Sequence, residues 1–380
     1  MSAELENELK IFFKDLEWRG IISNHANLEN FYHLKPEEKV IYLGIDCTGE
    51  SLHIGHLFQL IQTIRFAKEG FTILLVLGGA TSKIGDPSDK EVERKRLETE
   101  QLNNYYHKIK NQVTRLVIRS PLTKTATEIA KKTKLAPLEL FYADKPNLLK
   151  DIYKIFKISM EDEKEKKWEK YLNYIWPLQD NKFKILNNND WLSKISFIDF
   201  IDKVGRKIRV NNLIKKEFVK KRIDSEVGLS FLEFSYSLLQ AYDFWHLYQN
   251  YNCHGQLGGS DQWGNLTVGL ELIEKFYPGG KTKIFAFNFN LLTDKEGNKL
   301  SKSENNGVSL NNSRHEFFDF FRNMTDEQAE MYLKQFTFLS QQQIDELLKL
   351  NNPKKLRIPQ RILLELEWFL NYGEILNERN

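Results

Sequence analysis

Cysteine is scarce: the 380 residues hold two, Cys47 and Cys253, far apart in the chain. Such a pair builds neither a disulfide framework nor a cysteine zinc site, and it suits a reducing compartment. Long apolar runs are also missing. No stretch approaches the roughly 20 residues that a membrane-spanning helix needs, so no membrane partner is expected. The N-terminal MSAELENELK is acidic and amphipathic. It lacks the basic and apolar regions of a secretory signal and the arginine-rich bias of a transit peptide. Excess charge of one sign is absent too, since 55 Lys and Arg against 52 Asp and Glu leave a net +3. No global field draws the chain to nucleic acid, and any RNA contact has to come from local basic patches. No internal repeat or long low-complexity tract interrupts the sequence. What remains is a globular composition, 41% hydrophobic and 28% charged, in a chain long enough for two or three packed units.

The pattern along the chain places an α/β body first. Residues 39–46 (KVIYLGID) form an apolar run of strand length. In residues 53–69, Leu57, Leu60, Ile61, Ile64 and Ala67 recur at helical spacing, and Gly70 stops the run. A second apolar strand, FTILLVLGGA, follows and runs into a glycine turn. Strand, helix and strand with buried strands predict a βαβ unit of a parallel sheet. Residues 120–181 are lysine-rich and read as an inserted helical segment. The α/β pattern resumes near KILNNNDWL and continues to about residue 290. Beyond a polar loop the remainder reads as helical: Thr325 with Gln328 and Ser340 with Gln343 have capping-box spacing. Ile344, Leu347, Leu348, Ile362, Leu363 and Leu366 supply the buried stripes of those helices.

Two segments carry chemistry. In GIDCTGESLHIGH (44–56) a strand ends at Asp46, and His53-Ile54-Gly55-His56 opens a helix. A helix N-terminus offers free N–H groups and positive partial charge to phosphates, and Gly55 permits close approach to the backbone. The two histidines, three apart, are expected on one helix face, with a solvated or capping pair as the plain alternative. A metal reading of that pair is weighed and set aside, because neither a zincin glutamate nor a third ligand stands nearby. The second segment is DKEGNKLSKSENN (294–306), a polar loop holding Lys299 and Lys302.

Together the two segments resemble the HIGH and KMSKS motifs of class I aminoacyl-tRNA synthetases, with Leu300 where Met is usual. GGATSKIGDPSDK (78–90), FSYSLLQAYDF (234–244) and GGSDQWGN (258–265) narrow the resemblance to the bacterial-type (bacterial and organellar) tyrosyl-tRNA synthetases. It covers residues 8–119 and 182–372. The resemblance implies a Rossmann-like parallel-sheet catalytic domain (1–119 and 182–293), a lineage-specific insertion (120–181), a KLSKS loop (294–309) and an α-helical anticodon-side domain (310–380). The small S4-like RNA-binding domain that follows in many relatives is expected to be absent.

The activity implied is a two-step ligation: tyrosine and ATP give tyrosyl-adenylate and pyrophosphate, and the tyrosyl group then passes to the 3′ end of tRNA(Tyr). In the family, Tyr42 and Asp243 match the pair that reads the tyrosine hydroxyl. Asp86, Tyr236 and Gln240 match the holders of the ammonium, and Gln262 lies near the substrate carboxylate. Thr48 and His53 match γ-phosphate contacts, and His56, Lys90, Arg94, Lys299 and Lys302 complete the phosphate-binding catalytic set. Gly44, Asp46, Gly55, Gly259 and Asp261 match contacts to ATP. Mobile lysines and imidazole donors stabilise charge that accumulates on the departing pyrophosphate. No zinc or side-chain nucleophile is implied, and Mg²⁺ is expected only through the ATP phosphates. Tyr236 and Gln240, four apart, share a helix face with Asp243 one turn further. A buried carboxylate beside a hydroxyl rejects phenylalanine, which leaves both unpaired.

Cys47 stands where the bacterial pattern has Pro, and Leu43 replaces a small polar neighbour of the ribose; either is expected to weaken ATP binding. Lys215, Lys216, Lys220, Lys221 and Arg222 form a basic run that the family places near the tRNA acceptor end. A homodimer is implied by resemblance. The alternatives are a tryptophanyl-tRNA synthetase and a non-catalytic RNA-binding protein on the same scaffold. The motifs fit the cytoplasm of a bacterium or an organelle matrix or stroma. The Lys and Asn bias leans the expectation to an organelle.

Overall fold

The computed structural model describes residues 3–88, 97–117, 182–225, 228–280, 282–293, 299–300, 307–313, 316, 319–320 and 323–349. The chain divides into two compact units, Met1–Val113 with Asn181–Leu292, and Thr114–Asp180 with Thr293–Asn380. The insertion expected at 120–181 lies outside the described residues, as do Ile362, Leu363 and Leu366.

The first unit forms around the expected βαβ element. Strand β2 (Val40–Ile45) leads through a turn into helix α3 (Ile54–Lys68), and Gly70, at φ 87°, turns the chain into β3 (Thr72–Leu77). Leu57, Leu60, Ile61, Ile64 and Ala67 are all buried on α3, so the helical periodicity reported the core face correctly. β2 and β3 pair in parallel over their whole length, and β3 is almost wholly buried, as a parallel sheet covered on both faces requires.

The sheet also contains β1 (Ile22–Ala26), β4 (Phe183–Asn187), β5 (Gly255–Gly259) and β6 (Phe285–Phe289), in the order β1-β6-β5-β2-β3-β4. All neighbours are parallel except β1, an antiparallel edge strand on β6. From β2 the chain builds outward to β3 and β4 on one side, and β5 and β6 fill the other. The reversal therefore falls between β2 and β5, where open parallel sheets place their ligand crevice, beyond the carboxyl ends of the strands.

Helix α1 (Ala3–Trp18) closes one face with Leu9, Phe12, Phe13 and Leu16. Its Phe12 meets Phe66 edge-on at 5.0 Å, and Phe13 meets Phe287 at 5.4 Å. α2 (Leu28–Tyr32) adds Phe31, which touches Phe285 and Phe287 at 5.2 and 5.0 Å. Helix α4 (Thr99–Val117) precedes the insertion. Helices α5 (Phe231–Tyr251) and α6 (Trp263–Phe276) pack on each other, and α5 brings Tyr236, Gln240 and Asp243 to the sheet.

In the second unit the two expected capping boxes form. Thr325 Oγ1 accepts from the Gln328 N–H at 3.3 Å, and Gln328 Oε1 accepts from the Thr325 N–H at 3.1 Å, ahead of α7 (Asp326–Phe336). Ser340 and Gln343 exchange the same bonds at 3.2 and 2.9 Å before α8 (Gln341–Lys349), where Ile344 is buried.

Candidate active site

Asp46 follows the last residue of β2, Gly78 opens the turn after β3 that carries Thr81, and Asn188 follows β4, so three strand ends meet in one hydrogen-bonded group. Gly44, on the otherwise covered strand β2, is exposed and has open space above its Cα, which makes it the floor of a cleft. The turn after β3 has to start with glycine, because a Cβ at Gly78 would overlap the Asp46 carboxylate and the Thr81 hydroxyl. Thr81 donates to Asp46 at 2.8 Å, and the Tyr236 hydroxyl reaches the other Asp46 oxygen at 2.9 Å from α5. Asp46, expected among the ATP contacts, is thus hydrogen-bonded to Tyr236, which is expected at the substrate ammonium. Asp86 accepts from the Ser88 N–H at 2.8 Å and from the Gln262 amide. Burial pushes its pKa up to about 6, partly offset by those hydrogen bonds, and the nearby Asp46 charge adds to the rise.

At the other end of the pocket Asp243 is buried. Trp191 Nε1–H donates to one of its oxygens at 2.6 Å and the Asn188 amide to the other at 3.1 Å. Burial drives the carboxyl up to about 7 against the pull of these two donors. Tyr42 lies on β2 in register with Gln256 of β5. Its hydroxyl is buried and has no hydrogen-bond partner among the described residues, although the Asp243 charge and the Gln256 amide both influence it. Burial first, and then that charge, raise its pKa well above the ordinary value. A buried hydroxyl without a partner is costly, and a ligand hydroxyl placed between it and Asp243 satisfies both.

In the HIGH segment the capping alternative holds. His53 is not on a helix face but is the N-cap of α3, in extended backbone at φ −126°. Its Nδ1 accepts from the Gly55 N–H at 3.1 Å, and His56 Nδ1 accepts from the His53 N–H at 3.3 Å. An Nδ1 that accepts carries no proton, which leaves the ring proton on Nε2. The rings lie 4.0 Å apart. Gly55 serves its neighbour, since a Cβ there would sit 2.9 Å from the His53 ring. Among the described residues, no group of three His, Cys, Asp or Glu is arranged to hold a metal. Thr48 is half-buried in the turn before His53. Gly259 ends β5, where a Cβ would meet the Asp261 carboxylate and, at 3.1 Å, the Gln59 amide. Gln240 is half-buried one turn from Tyr236. In the second unit Lys299 forms an isolated antiparallel bridge with Thr293, and Leu300 is buried. Lys90, Arg94 and Lys302 lie outside the described residues.

The chain matches the family described as tRNA synthetases class I (W and Y) over residues 35–134 and 149–378. It is 34% identical over 359 residues to the tyrosine–tRNA ligase of Staphylococcus saprophyticus, covering 93% of this chain and 70% of that one. The Flavobacterium johnsoniae tyrosine–tRNA ligase is 35% identical over 362 residues, covering 94% and 70%. The chain belongs to this class I tRNA synthetase family. A C-terminally truncated mitochondrial tyrosyl-tRNA synthetase from Aspergillus nidulans shares its fold at a TM-score of 0.70 and 23% identity, over 97% of this chain and 93% of that one.

Several parts of this synthetase's site were invisible in the motifs. Asn188 and Trp191, which hold Asp243, follow β4, and Thr81, which bonds Asp46 and accepts from Asn188 at 3.0 Å, follows β3. The Cys47 difference has a local reason: its N–H donates to Ser82 Oγ at 2.7 Å, a bond that Pro cannot make. The thiol itself is buried and pushed up to about 12. The basic run needs a larger correction. Arg222 is buried and forms a two-point ion pair with Glu233 at 2.8 and 2.9 Å, because Glu233 also closes the capping box at Ser230 that starts α5. Lys216 is half-buried and donates to Thr267 Oγ1 at 2.7 Å, and Lys221 pairs with Glu217. Lys215 and Lys220 remain exposed.

Proposed function

We infer that the chain is a tyrosine–tRNA ligase, an ATP-using aminoacyl-tRNA synthetase. The observation that carries the choice of amino acid is the pocket end built from Tyr42 and Asp243: a buried hydroxyl in need of a partner beside a buried carboxylate. Tyrosine offers a hydroxyl that donates to Asp243 and accepts from Tyr42. Its ammonium then lies toward Asp86, Tyr236 and Gln240, with Asp46 beside them, and its carboxylate lies toward Gln262. Attack of that carboxylate on the α-phosphate of ATP releases pyrophosphate. In this reading Thr48 and the imidazoles of His53 and His56 meet the phosphates, and Lys90, Arg94, Lys299 and Lys302 neutralise the leaving group. Gly44, Gly55, Gly259 and Asp261 face the rest of ATP. Mg²⁺ enters with the nucleotide, held by phosphate oxygens.

We also propose a homodimer. Of the nine large apolar side chains exposed among the described residues, eight lie between Phe197 and Leu232, including Ile198 at 73% and Phe231 at 65%. Clustered exposure of this kind marks a protein interface, and a second copy is the partner the family reading supplies.

The test is ATP–pyrophosphate exchange with each of the twenty amino acids, without tRNA. Exchange with tyrosine alone supports the reading. Exchange with tryptophan overturns the pocket assignment, and exchange with none favours an RNA-binding protein without catalysis.

A further inference from the structure

Residues 49–52 connect Thr48 to His53, and α4 bonds to the last three of them. Gln112 of α4 does two things with one amide: Oε1 accepts from the Leu52 N–H at 2.8 Å, and Nε2 donates to Ser51 Oγ at 2.9 Å. Ser51 Oγ in turn donates to the Leu52 carbonyl at 2.9 Å. Both polar groups of Leu52 are thereby fixed, and Leu52 and Ser51 are themselves buried. One turn earlier on the same helix, Lys108 pairs with Glu50 at 3.4 Å. The next peptide unit carries the His53 N–H that binds His56 Nδ1, so the direction set at Leu52 passes to both imidazoles.

We propose that Gln112 is a positioning residue for adenylate formation, its amide holding the Leu52 peptide so that His53 and His56 present their rings to the phosphates of ATP. A primary amide accepts from a backbone N–H and donates to a hydroxyl at the same time, which is what this turn requires. The effect is expected on the transition state rather than on tyrosine binding, because the Gln112 amide bonds to Ser51 and Leu52, in the turn that leads to His53. The proposal rests on the reading of His53 as a phosphate contact.

The experiment is a double-mutant cycle in the full chain, read as the rate of tyrosyl-adenylate formation and the KM for tyrosine. Gln112→Met keeps the length and removes both bonds; about a tenfold fall in rate is expected, with the tyrosine KM within about twofold. Gln112→Glu retains the acceptor for Leu52 and is expected to keep most of the rate. His53→Asn preserves a capping side chain but removes the Nε2 donor. In that background Gln112→Met is expected to cost about threefold or less, since only the His56 ring is left to aim. Where Gln112→Met does not fold, Ser51→Ala carries the same cycle at about threefold. Additive losses, or no loss in Gln112→Met, overturn the positioning role while leaving the site reading intact. No loss in His53→Asn overturns the phosphate reading and the proposal with it.

Discussion

Replacing Asp243 with Asn tests the hydroxyl pocket with almost no change in volume. In the native site, Trp191 at 2.6 Å and Asn188 at 3.1 Å each donate to one carboxylate oxygen, and lone pairs remain for a substrate hydroxyl. Phenylalanine in this pocket leaves the Tyr42 hydroxyl and the carboxylate without that partner. A buried polar group left unpaired costs about 1–3 kcal/mol, and a charged one more, so the two together disfavour phenylalanine by about 3–6 kcal/mol. The Asp243→Asn variant removes the charged share. Its single carbonyl oxygen can satisfy the Trp191 or the Asn188 donor, while its own NH₂ faces the other. We expect the tyrosine-to-phenylalanine ratio of kcat/KM to fall by about 2–3 kcal/mol, or roughly 30- to 150-fold. Pyrophosphate exchange with each amino acid over a range of concentrations measures the ratio directly. An equal drop for both substrates, with the ratio unchanged within about twofold, would show that Asp243 supports the fold and does not read the hydroxyl.

Two further outcomes follow from charges in the first unit. Asp86 at about 6 and Asp243 at about 7 are raised above the ordinary carboxylate value of 3.8, so the folded chain keeps protons that the unfolded chain has lost. Their contribution to stability is fully present below about pH 4 and is lost as pH rises through 6 to 7. A bound ammonium favours the charged forms, so tyrosine binding at pH 6.5 should release protons and tighten between pH 6 and 7; calorimetry in two buffers of different ionisation enthalpy that detects no release would contradict this. Arg222→Met leaves Glu233 buried without its cation and should cost about 3–5 kcal/mol in urea unfolding, and a loss below about 1 kcal/mol would rule out a structural role for the pair.

What the sequence made legible was local. The βαβ unit could be read because helix and strand periods differ, and the boxes at Thr325 and Ser340 because both partners lie within three residues. Tyr236, Gln240 and Asp243 could be placed on one helix for the same reason. Arg222 was counted with its charged neighbours because nothing in a basic run announces a partner eleven residues on, in the capping box of the next helix. Both a helix-face and a capping position stay open for His53 in the sequence, because spacing alone does not tell an N-cap from the first turn. Asn188, Trp191 and Gln112 act across 50 residues or more, through contacts that exist only once strand ends are side by side.

On the proposed reading, the donors to Asp86 and Asp243 suit this pocket to an amino acid with both an ammonium and a hydroxyl. Among the described residues, each carboxylate is held by neutral groups alone: Gln262 and Ser88 for Asp86, Asn188 and Trp191 for Asp243. Neutral donors fix orientation but do not cancel the cost of burying charge, and both pKa values stand raised as a result. A resident lysine or arginine would lower them and would also compete with the substrate for the same oxygens. Orienting the carboxylates with amides, an indole and hydroxyls leaves the cationic role to the incoming ammonium and the donor role to the incoming hydroxyl. Tyr236, Asp46, Thr81, Asn188 and Asp243 are linked in turn by hydrogen bonds of 2.8–3.1 Å, so the spacing between the ammonium end and the hydroxyl end is set by one connected network. A ligand that satisfies only one end leaves the other raised and unpaired, so selectivity comes from requiring both groups at that spacing.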